Sequence, residues 1–292
     1  MSSVCFLGVG KMGLPMAGHL AAAGHDVTVS DPSAERRALA RAQHLRVAED
    51  AGRALAQAEF VFSSLPHDAA LLDVAALVAG AARAGSIYID TSTVSPRASA
   101  NAARLLEERG IDYLRCTVSG NNKMAEAAQL TVMASGPRAA YDAALPLLRT
   151  FGPNHFYLGQ AEQARLMKLV VNLMIAQTSA MLAEALTLGR KGGLDWQAMW
   201  QVLTASAVAS PIVKAKAVQL SARDFTPTFT VEQMIKDIDL ILDAGQANHV
   251  PLLQTAMTHK LMHAAVNQGD GLDDYAAIIK VLERGACLPD TL

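Results

Sequence analysis

An apolar run, Val4 to Leu7, ends in three glycines, Gly8, Gly10 and Gly13, and the next apolar run, Val27 to Val29, closes on an acid, Asp31. Residue types in this order suit the binding of a pyrophosphate joined to a ribose. Gly8 permits a tight turn, Gly10 lets the backbone approach a phosphate, and Gly13 lets the following helix pack closely on the strand. The free N–H groups at the start of that helix then face the phosphates, with the positive end of its dipole behind them. A carboxylate at Asp31 accepts hydrogen bonds from ribose hydroxyls and repels a 2′-phosphate, which favours NAD over NADP. Asp31-Pro32-Ser33 also has the composition of a turn and helix cap, and both roles are compatible. Arg36 and Arg37 stand near enough to receive an extra phosphate, and are expected instead on the solvated face of the next helix.

A second set of candidates lies on a helix. Leu169 to Ala176 is apolar nearly all round except at Asn172, which argues for a buried helix. Lys168 and Asn172 stand at i and i+4 and share a face. A lysine withdrawn from water is disfavoured in its ionised form, and its pKa falls toward neutrality. That suits it to give or take a proton on a hydroxyl or carbonyl oxygen, with Asn172 fixing the ammonium or that oxygen. From the helix alone, a lysine snorkelling to solvent is the simpler reading.

Other polar segments follow apolar runs. Asp90-Thr-Ser-Thr-Val-Ser-Pro96 places Ser92 and Thr93 at the end of a strand, where hydroxyls and amides bind a nicotinamide or a carboxylate; Ser95 and Pro96 also read as a helix cap and first turn. Val118-Ser119-Gly120-Asn121-Asn122-Lys123 is a polar loop with donors enough for an anion, and standing alone it is an ordinary turn. Leu65-Pro66 would wall a cofactor or simply turn the chain. Lys236-Asp237 reads as a pair on a solvated helix face, worth a few tenths of a kcal/mol if anything. His259 and His263 have metal-compatible spacing, but their helix brings no acidic or cysteine partner, so no metal site is expected.

The elements that must position these residues divide the chain in two. Strands are expected at Val4–Leu7, Val27–Ser30, Glu59–Ser63, Ser86–Asp90, Asp112–Leu114, Leu130–Ala134 and His155–Leu158. Helical patterns at Ser33–Arg41, Ala69–Ala79, Pro96–Glu108 and Ala139–Arg149 alternate with them. Alternation of this kind means a mostly parallel, doubly wound sheet with helices on both faces, and ligands beyond the carboxyl ends of the strands. Beyond Gly159 the strand signal stops. Residues 161–191 could form one helix of about 46 Å, ended by Gly192-Gly193, with further helices over 195–205, 210–221, 230–247, 251–267 and 274–284. The expectation is therefore a sheet domain over 1–160 and an all-α domain over 161–292, built on a long inter-domain helix.

Composition excludes several classes. The 292 residues carry 18% charged side chains and a net charge of −2, which gives no electrostatic footprint for nucleic acid or an anionic membrane. Lys168, Asn172 and Glu184 interrupt the longest apolar stretches, so no membrane span is expected. Cys5, Cys116 and Cys287 form no CxxC pair and read as reduced, mostly buried thiols. With no signal peptide visible, a cytoplasmic protein is expected.

In these motifs the chain resembles the β-hydroxyacid dehydrogenases, which combine a Rossmann-type domain with a helical one. The resemblance covers essentially the whole chain and rests on GVGKMGLPMAGHL at 8–20, DTSTVSP at 90–96, VSG at 118–120, GQAEQARLMKLVVN at 159–172, DFTPTFTVEQMIKDIDLIL at 224–242 and GLDDYAAIIKVLE at 271–283. It implies that Lys168 is the catalytic acid/base and that Asn172 supports it. It implies that Lys11 and Met12 join the three glycines and Asp31 around the cofactor, with Leu65, Pro66 and Thr93 beside it. Ser92 would lie near the nicotinamide and substrate, and Ser119 and Gly120 at the substrate's acid group; this chain's own Asn121, Asn122 and Lys123, which follow them, would add donors and a cation there. Lys236 would close over the cofactor, contrary to the solvated-face reading, and Asp237 would anchor its helix. The chain departs from the family where DAPVSGG is common and residues 115–121 read Arg-Cys-Thr-Val-Ser-Gly-Asn, and where Val171 replaces a second asparagine.

Together these readings imply an NAD-dependent dehydrogenase of a small anionic β-hydroxyacid, acting as a homodimer or homotetramer, with the substrate between the sheet domain and the long helix. The alternatives are an imine reductase of the same architecture and a catalytically silent dinucleotide-binding scaffold; both are expected to lose the lysine, and Lys168 disfavours them.

Overall fold

The computed structural model describes residues 1–289. The first strand, β1 (Ser3–Leu7), alternates its side chains between two apolar layers. Val4 and Phe6 enter one core with Val27, Val29, Phe62 and Ile89, while Cys5 and Leu7 enter another with Val61, Tyr88 and Tyr113. Burial on both faces explains why the strands read as continuous apolar runs.

After β1 come α1 (Gly13–Ala22), β2 (Asp26–Ser30), α2 (Ala34–Ala42), β3 (Arg46–Val47), α3 (Ala51–Gln57), β4 (Phe60–Ser63), α4 (Asp68–Ala81) and β5 (Ile87–Asp90). Then follow α5 (Pro96–Glu107), β6 (Asp112–Ser119), α6 (Asn122–Glu126), β7 (Thr131–Ser135), α7 (Arg138–Leu148) and β8 (Asn154–Tyr157). The eight strands form one sheet in the order β3-β2-β1-β4-β5-β6-β7-β8, in which β6 and β7 pair antiparallel and the other neighbours parallel. The order reverses at β1, between β2 and β4, and a crevice opens beyond the carboxyl ends of strands at such a point.

The helical part holds α8 (Gln163–Lys191), α9 (Trp196–Ala205), α10 (Pro211–Ser221), α11 (Val231–Ala247), α12 (Leu253–Asn267), a 3₁₀ turn (Tyr275–Ala277) and α13 (Ile278–Gly285). Thr230 and Gln233 form a reciprocal capping box at the start of α11. By packing, the chain divides into one unit ending at Lys168 and a second starting at Leu169, so the division falls inside α8, later than residue 160. In the second unit Ala176, Leu182, Ala183 and Leu186 of α8 pack with Trp196, Trp200, Ile238 and Ile278. By length and composition, α8 is apolar enough to cross a membrane. Its buried residues nonetheless serve as the spine of a packed core, and its end is fixed by Arg190 donating to Glu283 at 2.7 Å.

Further features differ from the sequence reading. The two-residue β3, and α3 after it, lie where no element was expected. Val118 and Ser119 end β6, and the supposed polar loop continues directly into the short helix α6. Asp237 is buried rather than on a solvated face.

Candidate active site

The glycine turn performs three separate tasks. Gly8 has φ +87°, and a Cβ there would lie 2.5 Å from the carbonyl oxygen of Ser64. At Gly13 a Cβ would meet the Gly8 carbonyl oxygen at 2.0 Å, so this glycine sets the close packing of α1 on the turn. Gly10 faces nothing within 4 Å, which leaves an open cradle that a side chain would fill. Helix α1 starts after Met12 without a side-chain cap; Leu14 N–H is taken by the Gly10 carbonyl and Pro15 has none, so Gly13 N–H is the helical donor left for an anion. Lys11 is exposed beside them. This fits a pyrophosphate.

Asp31 ties that turn to the end of β2. Its Oδ2 accepts from Val9 N–H at 2.9 Å and its Oδ1 from Ser33 N–H at 2.8 Å. Arg37, half-buried on α2, turns back to this loop: its Nη1 donates to the carbonyls of Asp31 and Pro32 at 2.7 and 2.8 Å. It thereby fixes the loop that presents the carboxylate. On the other side of the crevice Leu65 lies 3.4 Å from the position of a Gly8 Cβ, and Pro66 is exposed.

Leu65 N–H donates to Ser92 Oγ at 2.8 Å, and Ser92 Oγ donates to Asp90 Oδ1 at 2.6 Å. The Ser92 hydroxyl is thus committed within the protein as donor and acceptor, while Thr93 beside it is partly buried. Ser95 caps α5 and Pro96 opens it, as their types suggest. Asp68 holds the cap from α4 by accepting from Ser95 N–H at 2.8 Å.

Register brings four polar residues into one row across the sheet: Ser63 beside Asp90, Asp90 beside Arg115, and Arg115 beside Ser135. The start of α8 is seated on that row. Arg165, fully buried, donates from Nη2 to Asp90 Oδ2 at 2.5 Å and Tyr113 OH at 2.8 Å, from Nη1 to the Ser92 carbonyl at 2.7 Å, and from Nε to Ser99 Oγ at 3.2 Å. Ser63 Oγ donates to Asp90 Oδ1 at 2.5 Å. Arg115 donates to Glu162, from Nε at 2.8 Å and also from Nη2, and its guanidinium lies 4.6 Å from the Tyr113 ring centre. Ser135 Oγ donates to Ala161 O at 2.6 Å and accepts from Ala164 N–H at 3.0 Å. Burial pushes the Tyr113 phenol up to about 12, so it stays neutral. Lys168, partly buried, follows one helical turn after Arg165.

In the second unit, Asn172 Nδ2 donates to Asp237 Oδ2 at 2.5 Å, and Lys236 Nζ stands 2.9 Å from Asp237 Oδ1. An ionised carboxylate only accepts, so it orients the Asn172 amide with its carbonyl turned away. Asn172, Lys236 and Asp237 are therefore brought together.

The remaining candidates cluster around α6. Ser119 ends β6, Gly120 has φ +140°, and Asn121 caps α6, its Oδ1 accepting from Met124 N–H at 3.0 Å. Asn122 Oδ1 is buried without a hydrogen-bond partner, and Lys123 is exposed. His19 of α1 bonds the Ala125 carbonyl at 2.8 Å, joining α6 to the helix of the glycine turn. His259 finds an acid the sequence did not indicate: its Nε2 lies 2.8 Å from Asp239 Oδ1 on α11.

Asp90, Arg115, Glu162 and Arg165 were not singled out from the sequence. The available signal was an arginine one turn before Lys168, next to an apolar stretch, because charges that fold inward must be paired.

A doubly wound sheet whose open glycine cradle, acid-tipped second strand and uncapped helix meet at the switch point defines a dinucleotide-binding oxidoreductase. Comparison with known proteins narrows the class. The family described as the NAD-binding domain of 6-phosphogluconate dehydrogenase matches residues 3–159, and that described as NAD-binding of NADP-dependent 3-hydroxyisobutyrate dehydrogenase matches 163–282. The chain belongs to the β-hydroxyacid dehydrogenase family and is an NAD(P)-dependent oxidoreductase of hydroxyacids. It is 33% identical to 2-(hydroxymethyl)glutarate dehydrogenase of Eubacterium barkeri, over 96% of this chain and 94% of that protein. It is 29% identical to glyoxylate/succinic semialdehyde reductase 2 of Arabidopsis thaliana, over 96% and 79%. The structure of Mycobacterium tuberculosis 3-hydroxyisobutyrate dehydrogenase with L-serine superposes with a TM-score of 0.89 at 29% identity, over 97% of this chain and 99% of that one.

Proposed function

We propose that the protein interconverts a small anionic β-hydroxyacid and its aldehyde or ketone, with NAD as the favoured cofactor and Lys168 as general acid/base. The observation that carries this reading is the mounting of Lys168, one turn beyond a helix start bonded to the last residues of β5 and β7 and to Arg115 of β6. NAD, when bound, supplies hydride acceptance or donation. Gly8, Gly10, Lys11, Met12, Gly13 and Asp31 would hold it, with Leu65, Pro66, Thr93 and Lys236 around it. Lys168 takes the hydroxyl proton as the alcohol is oxidised and returns it to the carbonyl oxygen in reduction. Asn172, its amide nitrogen held by Asp237, would offer its carbonyl to an ammonium or hydroxyl donor. A panel of hydroxyacids, their aldehydes and cyclic imines tests the reading; turnover of imines alone overturns it.

Cofactor choice follows Asp31. NAD should support turnover at least about ten-fold better than NADP, since placing a phosphate against a carboxylate costs more than about 1.4 kcal/mol. Asp31→Ser should narrow the gap and weaken NAD binding too, because the carboxylate also holds Val9 N–H. Steady-state kinetics of the native enzyme with both cofactors decide it: a preference for NADP would mean that Arg36 overrides the acid.

The substrate we propose carries a second anionic or strongly polar group and is larger than 3-hydroxyisobutyrate. Asn122 and exposed Lys123 follow Ser119 and Gly120 and offer an amide and a cation. The compound in the name of the Eubacterium barkeri relative, 2-(hydroxymethyl)glutarate, has two carboxylates. Lys123→Ala should lower kcat/KM on dianionic hydroxyacids by about ten-fold more than on monoanionic ones. Equal losses on both classes would reduce this segment to a turn.

A further inference from the structure

Helix α8 is attached to the sheet unit by a device that is poor as a stabiliser. The Arg165 and Asp90 side chains are both fully buried, at 0% exposure. Desolvating two charges offsets most of their attraction, and apolar residues of similar volume usually hold as well or better. What a guanidinium adds is direction: its nitrogens form a planar fork with fixed bond angles. Here the fork spans two pieces of the site at once. One Nη binds Asp90, which also accepts from the Ser92 hydroxyl, and the other binds the Ser92 carbonyl. The Ser92 hydroxyl in turn accepts from Leu65 N–H, beside the glycine turn. The segment 90–92 is therefore gripped through the Asp90 side chain and the Ser92 backbone by a residue one turn before Lys168.

We infer that Arg165 is a positioning residue, which sets the register of the helix bearing Lys168 against the Asp90–Thr93 segment and the Leu65 wall. Ser92 then acts as a relay inside this frame, with its hydroxyl turned to Asp90 and Leu65. The bonds of Ser135 to Ala161 and Ala164, and of Arg115 to Glu162, seat the preceding turn but reach neither Ser92 nor Leu65. Arg165 joins the helix directly to the segment flanking the cofactor. The inference rests on the proposed role of Lys168.

Arg165→Lys separates direction from charge. The ammonium can keep Asp90 paired but cannot also reach Ser92, Ser99 and Tyr113 in fixed geometry. Folding is followed by circular dichroism and thermal melting, NADH binding by its fluorescence, and amide exchange at 91–93 and 165–168 by mass spectrometry. The expected variant is folded, binds NADH and substrate within about three-fold of wild type, exchanges faster at both segments, and loses at least ten-fold in kcat. If Arg165→Lys does not fold, the double variant Arg165→Met/Asp90→Asn removes both buried charges and is read in the same way. A folded variant with kcat within two-fold of wild type and unchanged exchange overturns the inference, as does loss of fold in both. A wild type that turns over no hydroxyacid instead overturns the proposed reaction, and exchange at 91–93, which needs no substrate, still reports whether Arg165 positions that segment.

Discussion

Lys168→Ala is expected to lower turnover by about 10²-fold or more while changing NAD affinity little, the usual scale for removing a general acid/base. The two halves of this expectation have separate structural causes. The cofactor cradle is built from Gly8, Gly10, Gly13 and Asp31, held by bonds to Ser30, Leu14, Val9, Ser33 and Arg37 within the first 37 residues. Lys168 follows a helix start held by Arg165, Glu162 and Ser135, so a methyl group in its place leaves that mount intact. The loss should therefore fall on kcat. NADH titration by fluorescence and a turnover assay on the best hydroxyacid measure the two separately. A folded Lys168→Ala enzyme with near-native turnover would remove the lysine from the chemistry.

The second large effect contrasts two glycines that the sequence presents as one motif. Gly13→Ala drives a Cβ toward a backbone oxygen at 2.0 Å, which cannot swing aside as a flexible side chain could. Helix α1 must shift from the turn, at a cost of about 1–3 kcal/mol, and the melting temperature should fall. Gly10→Ala meets nothing within 4 Å, so the protein without cofactor should melt close to wild type. Its methyl group would nonetheless occupy the space left for a phosphate, and NAD affinity should drop by about ten-fold or more, equivalent to about 1.4 kcal/mol. Thermal melts with and without NAD distinguish the pair: Gly13→Ala is destabilised in both, whereas Gly10→Ala loses only the rise that NAD confers. An unchanged NAD-induced rise in Gly10→Ala would place the pyrophosphate elsewhere.

The main chain pattern was legible because apolar period and glycine chemistry are local. The strands that carry the site, β1, β2, β4 and β5, lie within a residue of their expected limits, and so does the beginning of α5. Elements with little apolar content escaped: β3 has two residues, and α6 begins inside a segment whose Asn, Gly and Lys read as a turn. The site was legible where one residue type determines the role, as at Gly8 and Gly13. The residues alone put Asp237 on a solvated face because its helix neighbours look solvated, whereas the resemblance implied an anchor; its bond to Asn172, far away in sequence, shows that it points inward. The Asp90–Arg165 pair escaped for the same reason: seventy-five residues separate the partners, and pairing of charges over such a distance leaves no local pattern.

The outermost strand at one side of the sheet, β3, contributes two residues to the ladder, and one of them, Arg46, projects a charge that meets Asp26 at 3.0 Å. An unpaired strand is a template on which another chain can polymerise. Two residues offer a visiting strand too few bonds to hold it, and the guanidinium must be stripped of water if one docks. A sheet of eight strands with apolar layers on both faces is thus kept from growing on that side by brevity and by charge, a safeguard against aggregation set well away from the chemistry at the strand ends.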